Sequence, residues 1–218
     1  MQQWQQDRID FITGMYDAFI KLDIVTQLLA RVHHLKLKAL TPYSEQNRKK
    51  DFSEFLMRTP EQLDGEIAEL ITAAHLLLMD KVQVISFDNC DTYEYQHTMN
   101  IDFMGDGERY QIKHRKAGSG STILDSKVSL FKKDFAGSVN LTMLVFTSDH
   151  PPVIVGGLST DFWKDLYINN RYKPTDDRAF IPLHKIKNSG GYVDLVHPDV
   201  VQLTNQFIKI KNESNYVN

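Results

Sequence analysis

The sequence contains one cysteine, Cys90, among 218 residues. A single cysteine forms no disulfide within the chain and cannot anchor a structural zinc site by itself, which excludes disulfide-stabilised domains and zinc fingers. Long apolar runs are also missing, and the first eight residues are mostly polar, so the sequence predicts neither a membrane span nor a signal peptide. We therefore expect a cytoplasmic protein.

A strong excess of charge of one sign is absent as well, because 25 Lys and Arg residues oppose 28 Asp and Glu residues. Gly and Pro are sparse, at 11 and 7 residues, which argues against collagen-like or disordered sequence. The apolar fraction of 42% is enough for one sizeable core. Any binding of nucleic acid would depend on a local basic patch rather than on net charge.

The spacing of apolar residues changes along the chain from a helical to an extended period. It predicts an N-terminal helical region over residues 1–58 and an α/β core over residues 59–218 with a C-terminal helical extension, together forming one compact unit. The predicted elements of the second part are a helix over Thr59–Met79, strands over 82–87, 93–103, 109–115, 141–147 and 153–155, and helices from Ser121 or Thr122 to about 135, near 160–167, and from Pro198 onward. This order predicts a mixed β-sheet flanked by helices.

The pair Asp106-Gly107 between two extended runs is typical of a two-residue hairpin turn of type I′. The pairs that follow from this turn are Gly105–Glu108, Phe103–Tyr110, Asp102–Gln111, Ile101–Ile112 and Asn100–Lys113. Because side chains alternate along a strand, one face of the hairpin is apolar or aromatic. The other face gathers Asn100, Asp102, Gln111 and Lys113.

That polar face combines oxygen ligands with an ammonium group. Mg²⁺ prefers hard oxygen ligands and keeps several waters, so Asp102, the Gln111 amide oxygen and the main-chain carbonyl of Ile112 suit a cation that also contacts phosphate. The Lys113 ammonium is no ligand, but it can orient an attacking water or neutralise charge developing on phosphate. The set indicates metal-dependent phosphodiester chemistry.

Asp102 followed by Gln111-Ile112-Lys113 resembles the motif of the PD-(D/E)xK nuclease superfamily. Ile101 stands where the family has proline, and Gln111 stands where it has Asp or Glu. The order helix, three-strand meander, helix and strand over about residues 59–147 is also similar to the family core. The resemblance implies a restriction-endonuclease-like α/β fold, Mg²⁺ as cofactor with Mn²⁺ as a substitute, and endonuclease action in restriction, recombination or repair.

The resemblance further implies an acidic residue on the helix that precedes the hairpin. The helix predicted over Thr59–Met79 offers two, Glu66 and Glu69. Glu66 borders the apolar stripe of the helix, whereas Glu69 follows Ala68 at the distance before the strand that is usual in the resolvase-like branch. Glu69 is slightly preferred, and both remain candidates for the metal site.

The stretch from Lys113 to Lys133 carries six basic residues and one acidic residue. Its predicted nucleic-acid contacts are Arg115, Lys116, Ser119, Ser121 and Lys127, where the amides at the start of a predicted helix can also hold a phosphate. DNA is the expected partner, with RNA left open, and a homodimer is expected because one hairpin site addresses one strand. The alternative function is a non-catalytic nucleic-acid or protein interaction module that retains the nuclease fold.

Overall fold

A computed structural model describes residues 2–40, 60–90, 101–115, 127–132, 141–147, 153–158, 160–186, 188 and 195–213. The elements in chain order are α1 (Gln3–Lys21), α2 (Val25–Leu40), α3 (Pro60–Leu78), β1 (Ile85–Ser86), β2 (Phe103–Gly105), β3 (Glu108–Arg115), β4 (Lys127–Phe131), β5 (Leu141–Thr147), β6 (Val153–Leu158), α4 (Thr160–Asn170), β7 (Arg178–Pro182), α5 (Leu183–Ile186) and α6 (Pro198–Glu213). The protein is thus of mixed α/β class, as predicted. No helix in these ranges is both long and apolar enough to cross a membrane.

The chain forms two compact units, one of Met1–Ile85 with His197–Asn218 and the other of Ser86–Val196. This division differs from the predicted boundary between residues 58 and 59. The helix α3 was expected in the same part as the strands, but it belongs to the unit that contains α1, α2 and α6. The second unit contains β2 to β7 with α4 and α5.

The helical unit is built from stripes of apolar side chains at helical spacing. The fully buried members include Ile12, Met15 and Phe19 of α1, Leu28 and Leu35 of α2, Ile67, Leu70 and Ile71 of α3, and Val200 and Ile208 of α6. The rings of Phe11 and Phe207 lie 5.7 Å apart and join α1 to α6. Asp23, with a φ of 58°, provides the tight reversal between α1 and α2.

The larger sheet has the strand order β1-β2-β3-β5-β6. The strands β2 and β3 are antiparallel, β3 and β5 are parallel, and β5 and β6 are antiparallel. The parallel pair requires a long crossover between β3 and β5, which is where β4 lies. The predicted strand over 141–147 is confirmed, as are the predicted helices that became α3, α4 and α6.

The strands β4 and β7 form a separate two-stranded antiparallel sheet, which the sequence did not predict. The prediction of a helix from Ser121 or Thr122 to about 135 is wrong over the described part of that segment, because Lys127–Phe131 is the strand β4. The apolar residues of this segment satisfy both a helical and an alternating spacing. Pairing with β7 decides between them, since Leu130 is fully buried opposite the equally buried Ala179.

The predicted strand over 93–103 lies outside the described residues up to position 100. At its described end, Ile101 and Asp102 belong to no strand, and β2 begins at Phe103. The predicted strand over 82–87 is shortened to β1. Because β2 begins at Phe103, Asp102 lies directly before this strand, at the point where the hairpin ladder ends.

Candidate functional site

The turn between β2 and β3 has the predicted conformation. Asp106 and Gly107 have φ angles of 50° and 83°, and a positive φ at both central residues is the signature of type I′. The resulting register pairs Gly105 with Glu108 and Phe103 with Tyr110, which confirms the predicted pairing near the turn.

One face of the hairpin is built into the core, as the alternation predicted. The rings of Phe103 and Tyr110 stack 5.1 Å apart at an interplanar angle of 10°. The ring of Phe87 also contacts Phe103, at 5.5 Å between ring centroids, and Ile101 and Ile112 are buried. Burial raises the pKa of the Tyr110 phenol, and the charges of Glu108 and Asp106 raise it further.

Asp102 is held at the end of the ladder by two hydrogen bonds to β3. Its main-chain amide donates to the carbonyl oxygen of Tyr110 at 2.8 Å, and its Oδ2 accepts from the main-chain amide of Ile112 at 2.5 Å. The described ladder ends at the Phe103–Tyr110 pair and does not include the predicted pairs Asp102–Gln111 and Ile101–Ile112. The two hydrogen bonds of Asp102 occupy their place. The carboxylate therefore takes the place of a main-chain carbonyl and is fixed against the backbone of β3.

Gln111 immediately precedes Ile112, the residue whose amide holds the Asp102 carboxylate. Its side chain is only 5% exposed, and its buried Oε1 has no hydrogen-bond partner among the described residues. A buried acceptor without a donor costs about 1–3 kcal/mol in folding free energy, which a bound cation or donor would recover. The position and the unsatisfied oxygen fit the ligand role predicted for Gln111.

Lys113 is half-buried in β3, two residues after Gln111. Because side chains alternate along a strand, Lys113 and Gln111 face the same side of the sheet. Within the sheet, β3 runs parallel to β5, with Gln111 opposite Met143 and Lys113 opposite Val145 in register. The ammonium is thus on the face of the hairpin that carries the amide oxygen.

The two glutamates proposed for the metal site lie on α3 in the helical unit, where basic residues of α2 neutralise them. Glu66 accepts from Lys38 Nζ at 2.6 Å and lies 3.4 Å from Arg31. Glu69 lies 3.2 Å from the same guanidinium. These carboxylates serve as partners in a buried ion-pair network, and a metal-binding role for either one stays a prediction.

The predicted nucleic-acid contacts are only partly described. Arg115 is the last residue of β3 and Lys127 the first of β4, whereas Lys116, Ser119 and Ser121 lie outside the described residues. Lys127 was predicted on a helix, but it lies in a strand.

The hairpin offers Mg²⁺ few ligands, and all of them are oxygen atoms. Among the residues that the structure describes, no three His, Cys, Asp or Glu side chains converge. The hairpin instead offers one carboxylate and one amide oxygen, with the Ile112 carbonyl as the further ligand predicted. This donor set fits a Mg²⁺ ion that keeps several waters and binds phosphate, rather than one enclosed by protein. A carboxylate has about four lone-pair directions, so Asp102 can serve both the Ile112 amide and a cation.

Sequence reasoning missed an arginine between two phenylalanines on the β4–β7 sheet. The guanidinium of Arg178 lies 5.0 Å from the ring centroid of Phe131 and 4.4 Å from that of Phe180. The signal available was the alternation in Arg178–Pro182, where exposed and buried residues follow one another. Without knowledge of the strand β4, that alternation had no visible partner.

Comparison with known proteins adds no further constraint. No protein-family model, curated protein or solved structure matches the chain.

Proposed function

We propose that the protein is a Mg²⁺-dependent DNA endonuclease of the PD-(D/E)xK type with a restriction-endonuclease-like fold. One observation carries the proposal: the Asp102 carboxylate is fixed on the amide of Ile112, directly beside Gln111, whose buried amide oxygen lacks a partner among the described residues. Lys113 follows Gln111 by two residues in β3. Two oxygen ligands and this lysine are the set that the resemblance implies.

The order of elements supports the proposal and also shows a departure. The helix α3 precedes β1, β2 and β3, and the next strand of the larger sheet, β5, returns parallel to β3. This agrees with the core order of the family. The departure is β4, a strand in the described part of the crossover where the family core has a helix.

The chemistry follows from the roles that the side chains can take. A bound Mg²⁺ would supply Lewis-acid stabilisation of the phosphate and of the leaving oxygen. Asp102 and Gln111 would hold it. Lys113 would orient the water for in-line attack and offset negative charge that develops on the phosphate.

The replacement of the family acid by Gln111 has a direct consequence for affinity. A neutral amide contributes less electrostatic attraction to a divalent cation than a carboxylate does. We therefore expect this enzyme to need more Mg²⁺ than a relative with Asp or Glu at the same position. For cutting of both strands of a duplex, we propose a homodimer, in which two-fold symmetry brings a second hairpin to the second strand.

Nicking of supercoiled plasmid DNA with Mg²⁺ or Mn²⁺ tests the proposal. Wild-type protein should convert the plasmid to open circles, whereas Asp102→Asn and Lys113→Ala should not. Calorimetric titration should show metal binding retained in Lys113→Ala, because the ammonium acts on water and phosphate. Asp106→Asn is the matched control, since it removes a carboxylate from the same hairpin while asparagine tolerates the positive φ of the turn.

A non-catalytic interaction module that retains the fold is the second candidate. It is favoured by the ion pairs of Glu66 and Glu69 with Arg31 and Lys38, which occupy both helix carboxylates. Such a module would bind nucleic acid or protein equally well with EDTA, and Asp102→Asn would leave its binding unchanged. Cleavage that needs both Mg²⁺ and Asp102 would exclude it.

A further inference from the structure

One face of the β4–β7 sheet carries a cation between two aromatic rings. Phe131 and Arg178 are direct partners across the two strands, and Phe180 follows Arg178 by two residues on the same side of β7. We call these three residues the aromatic–arginine face. Arg178 is exposed, and Phe180 is 49% exposed.

The core of this sheet is complete without that face. Its opposite side contributes Leu130, Ala179 and Ile181, all fully buried. The contact of a guanidinium with an exposed ring stabilises a fold only weakly. The ring of Phe180 is therefore accessible on this face, with about half of the side chain in contact with water.

The chemistry of the face favours one kind of occupant. Bases stack on aromatic rings and on guanidinium planes, and their phosphates are attracted by the positive charge of the exposed Arg178. An apolar protein surface would remove water from the guanidinium and offer no anion in exchange. Duplex DNA keeps its bases stacked on one another, so only a single strand can use both rings.

We propose that the aromatic–arginine face stacks the bases of single-stranded DNA. This inference rests on the proposed nuclease function, because that function supplies the reason for a DNA ligand. The face and the hairpin belong to the same compact unit, Ser86–Val196. Phe180 and Phe131 provide the stacking surfaces, and Arg178 provides both a planar surface and the charge.

Fluorescence anisotropy with a labelled oligothymidylate of about 15 nucleotides tests the proposal. The buffer contains EDTA, so that binding is measured without cleavage. A second probe of the same length and charge lacks all its bases. Wild-type protein should bind the oligothymidylate more tightly than the abasic probe.

Phe180→Ala should weaken binding of the oligothymidylate by about tenfold and leave binding of the abasic probe unchanged. Phe180→Leu keeps apolar bulk at the position and should show the same loss, which separates stacking from a folding defect. Arg178→Ala should weaken binding of both probes. Tyr172→Ala is the matched control, because Tyr172 is 91% exposed in the same unit but outside the two strands, and it should bind as wild type.

Equal affinity of wild-type protein for the two probes would overturn the inference, as would unchanged affinity in Phe180→Ala. Failure of the nuclease proposal looks different. A protein that binds the oligothymidylate through Phe180 but never nicks plasmid DNA would contradict the nuclease and support the stacking face. If the protein nicks DNA through Asp102 but Phe180→Ala binds the oligothymidylate as wild type does, the nuclease is supported and the stacking face is contradicted.

Discussion

The carboxylate of Asp102 accepts a hydrogen bond from the main-chain amide of Ile112, with 2.5 Å between Oδ2 and the nitrogen. Hydrogen bonds to an ionised acceptor are short and strong, so this contact fixes the carboxylate where the ladder of β2 and β3 ends. It also gives Asp102 a structural role that the sequence alone did not indicate. Substitutions at this position therefore have to separate the charge from the hydrogen-bond acceptor.

Asp102→Asn and Asp102→Ala are expected to differ in stability but not in activity. Asparagine keeps an oxygen for the Ile112 amide, so its free energy of unfolding should stay close to that of the wild type. Alanine leaves the amide without this acceptor and should lower the free energy of unfolding by about 1–3 kcal/mol. Both variants should lose nicking activity by about 100-fold or more. Urea unfolding beside a plasmid assay measures the two effects, and full activity in either folded variant would refute the role of Asp102.

Two substitutions at Gln111 test whether its buried oxygen binds a cation. Gln111→Glu adds a negative charge next to Asp102 and should lower the Mg²⁺ concentration needed for half-maximal nicking. Without metal, the buried carboxylate should lower the melting temperature, and Mg²⁺ should restore it. Gln111→Met removes the unsatisfied oxygen, so it should melt at or above the wild-type temperature and lose the response to Mg²⁺. An unchanged Mg²⁺ midpoint in Gln111→Glu would show that this side chain does not contact the metal.

His75 should make the helical unit sensitive to acid. Its Nδ1 accepts from the main-chain amide of His197 at 2.8 Å, so the neutral ring carries its proton on Nε2, which lies 3.1 Å from Thr204 Oγ1. Burial foremost, and the nearby His197, lower the pKa of His75 from 6.5 to about 3. In this range the unfolded chain binds a proton that the folded protein does not.

The free energy of unfolding should consequently be highest above pH 6.5 and fall as the pH decreases from 6.5 towards 3. One histidine contributes at most about 1.4 kcal/mol per pH unit, which amounts to about 2 kcal/mol at pH 5. Urea unfolding across this range measures the slope. His75→Asn removes the titrating group and should flatten the dependence by that amount, whereas an equal slope in the variant would assign it to other groups.

Removing only one member of the buried pair of Arg8 and Asp64 should lower the free energy of unfolding strongly. Two hydrogen bonds of 2.8 and 2.9 Å join the guanidinium to the carboxylate, and both side chains are buried. Arg8→Met leaves the carboxylate buried without its partner and should lower the free energy of unfolding by about 3–5 kcal/mol. The double variant Arg8→Met with Asp64→Leu should recover most of that loss.

The exposed pair of Lys209 and Glu213, at 3.9 Å, is the control for this comparison. Because water screens both charges, Lys209→Ala should change the free energy of unfolding little. Chemical denaturation of the wild type, Arg8→Met, the double variant and Lys209→Ala gives the free energy of unfolding of each protein. A double variant as unstable as Arg8→Met would mean that packing, rather than the unpaired charge, causes the loss.

Several elements could be predicted from short stretches of sequence, because their causes are local. Asp106-Gly107 determines a type I′ turn, since few other residues accept a positive φ at both central positions. The nearly continuous apolar run Leu141–Thr147 indicates a strand, and Pro198 marks the first residue of α6. In each case residues a few positions apart supply the deciding steric or hydrophobic preference.

The tertiary structure decided the features that depend on residues far apart in the chain. The segment Lys127–Phe131 is compatible with a helix or a strand, and only its pairing with Arg178–Pro182 selects the strand. The same pairing creates the aromatic–arginine face. Local propensity is weak compared with the burial of a whole strand face, so a distant partner overrides it.

The candidate site shows the same limit. The sequence by itself determined which residues share the hairpin, because the turn sets the register and the alternation assigns the faces. It did not determine that Glu66 and Glu69 are neutralised by Arg31 and Lys38, that Asp102 bonds to the Ile112 amide, or that the Gln111 oxygen is buried without a described partner. Those facts depend on which charges and dipoles packing brings within a few ångströms, and Coulombic and hydrogen-bond energies depend on that distance in space rather than on separation along the chain.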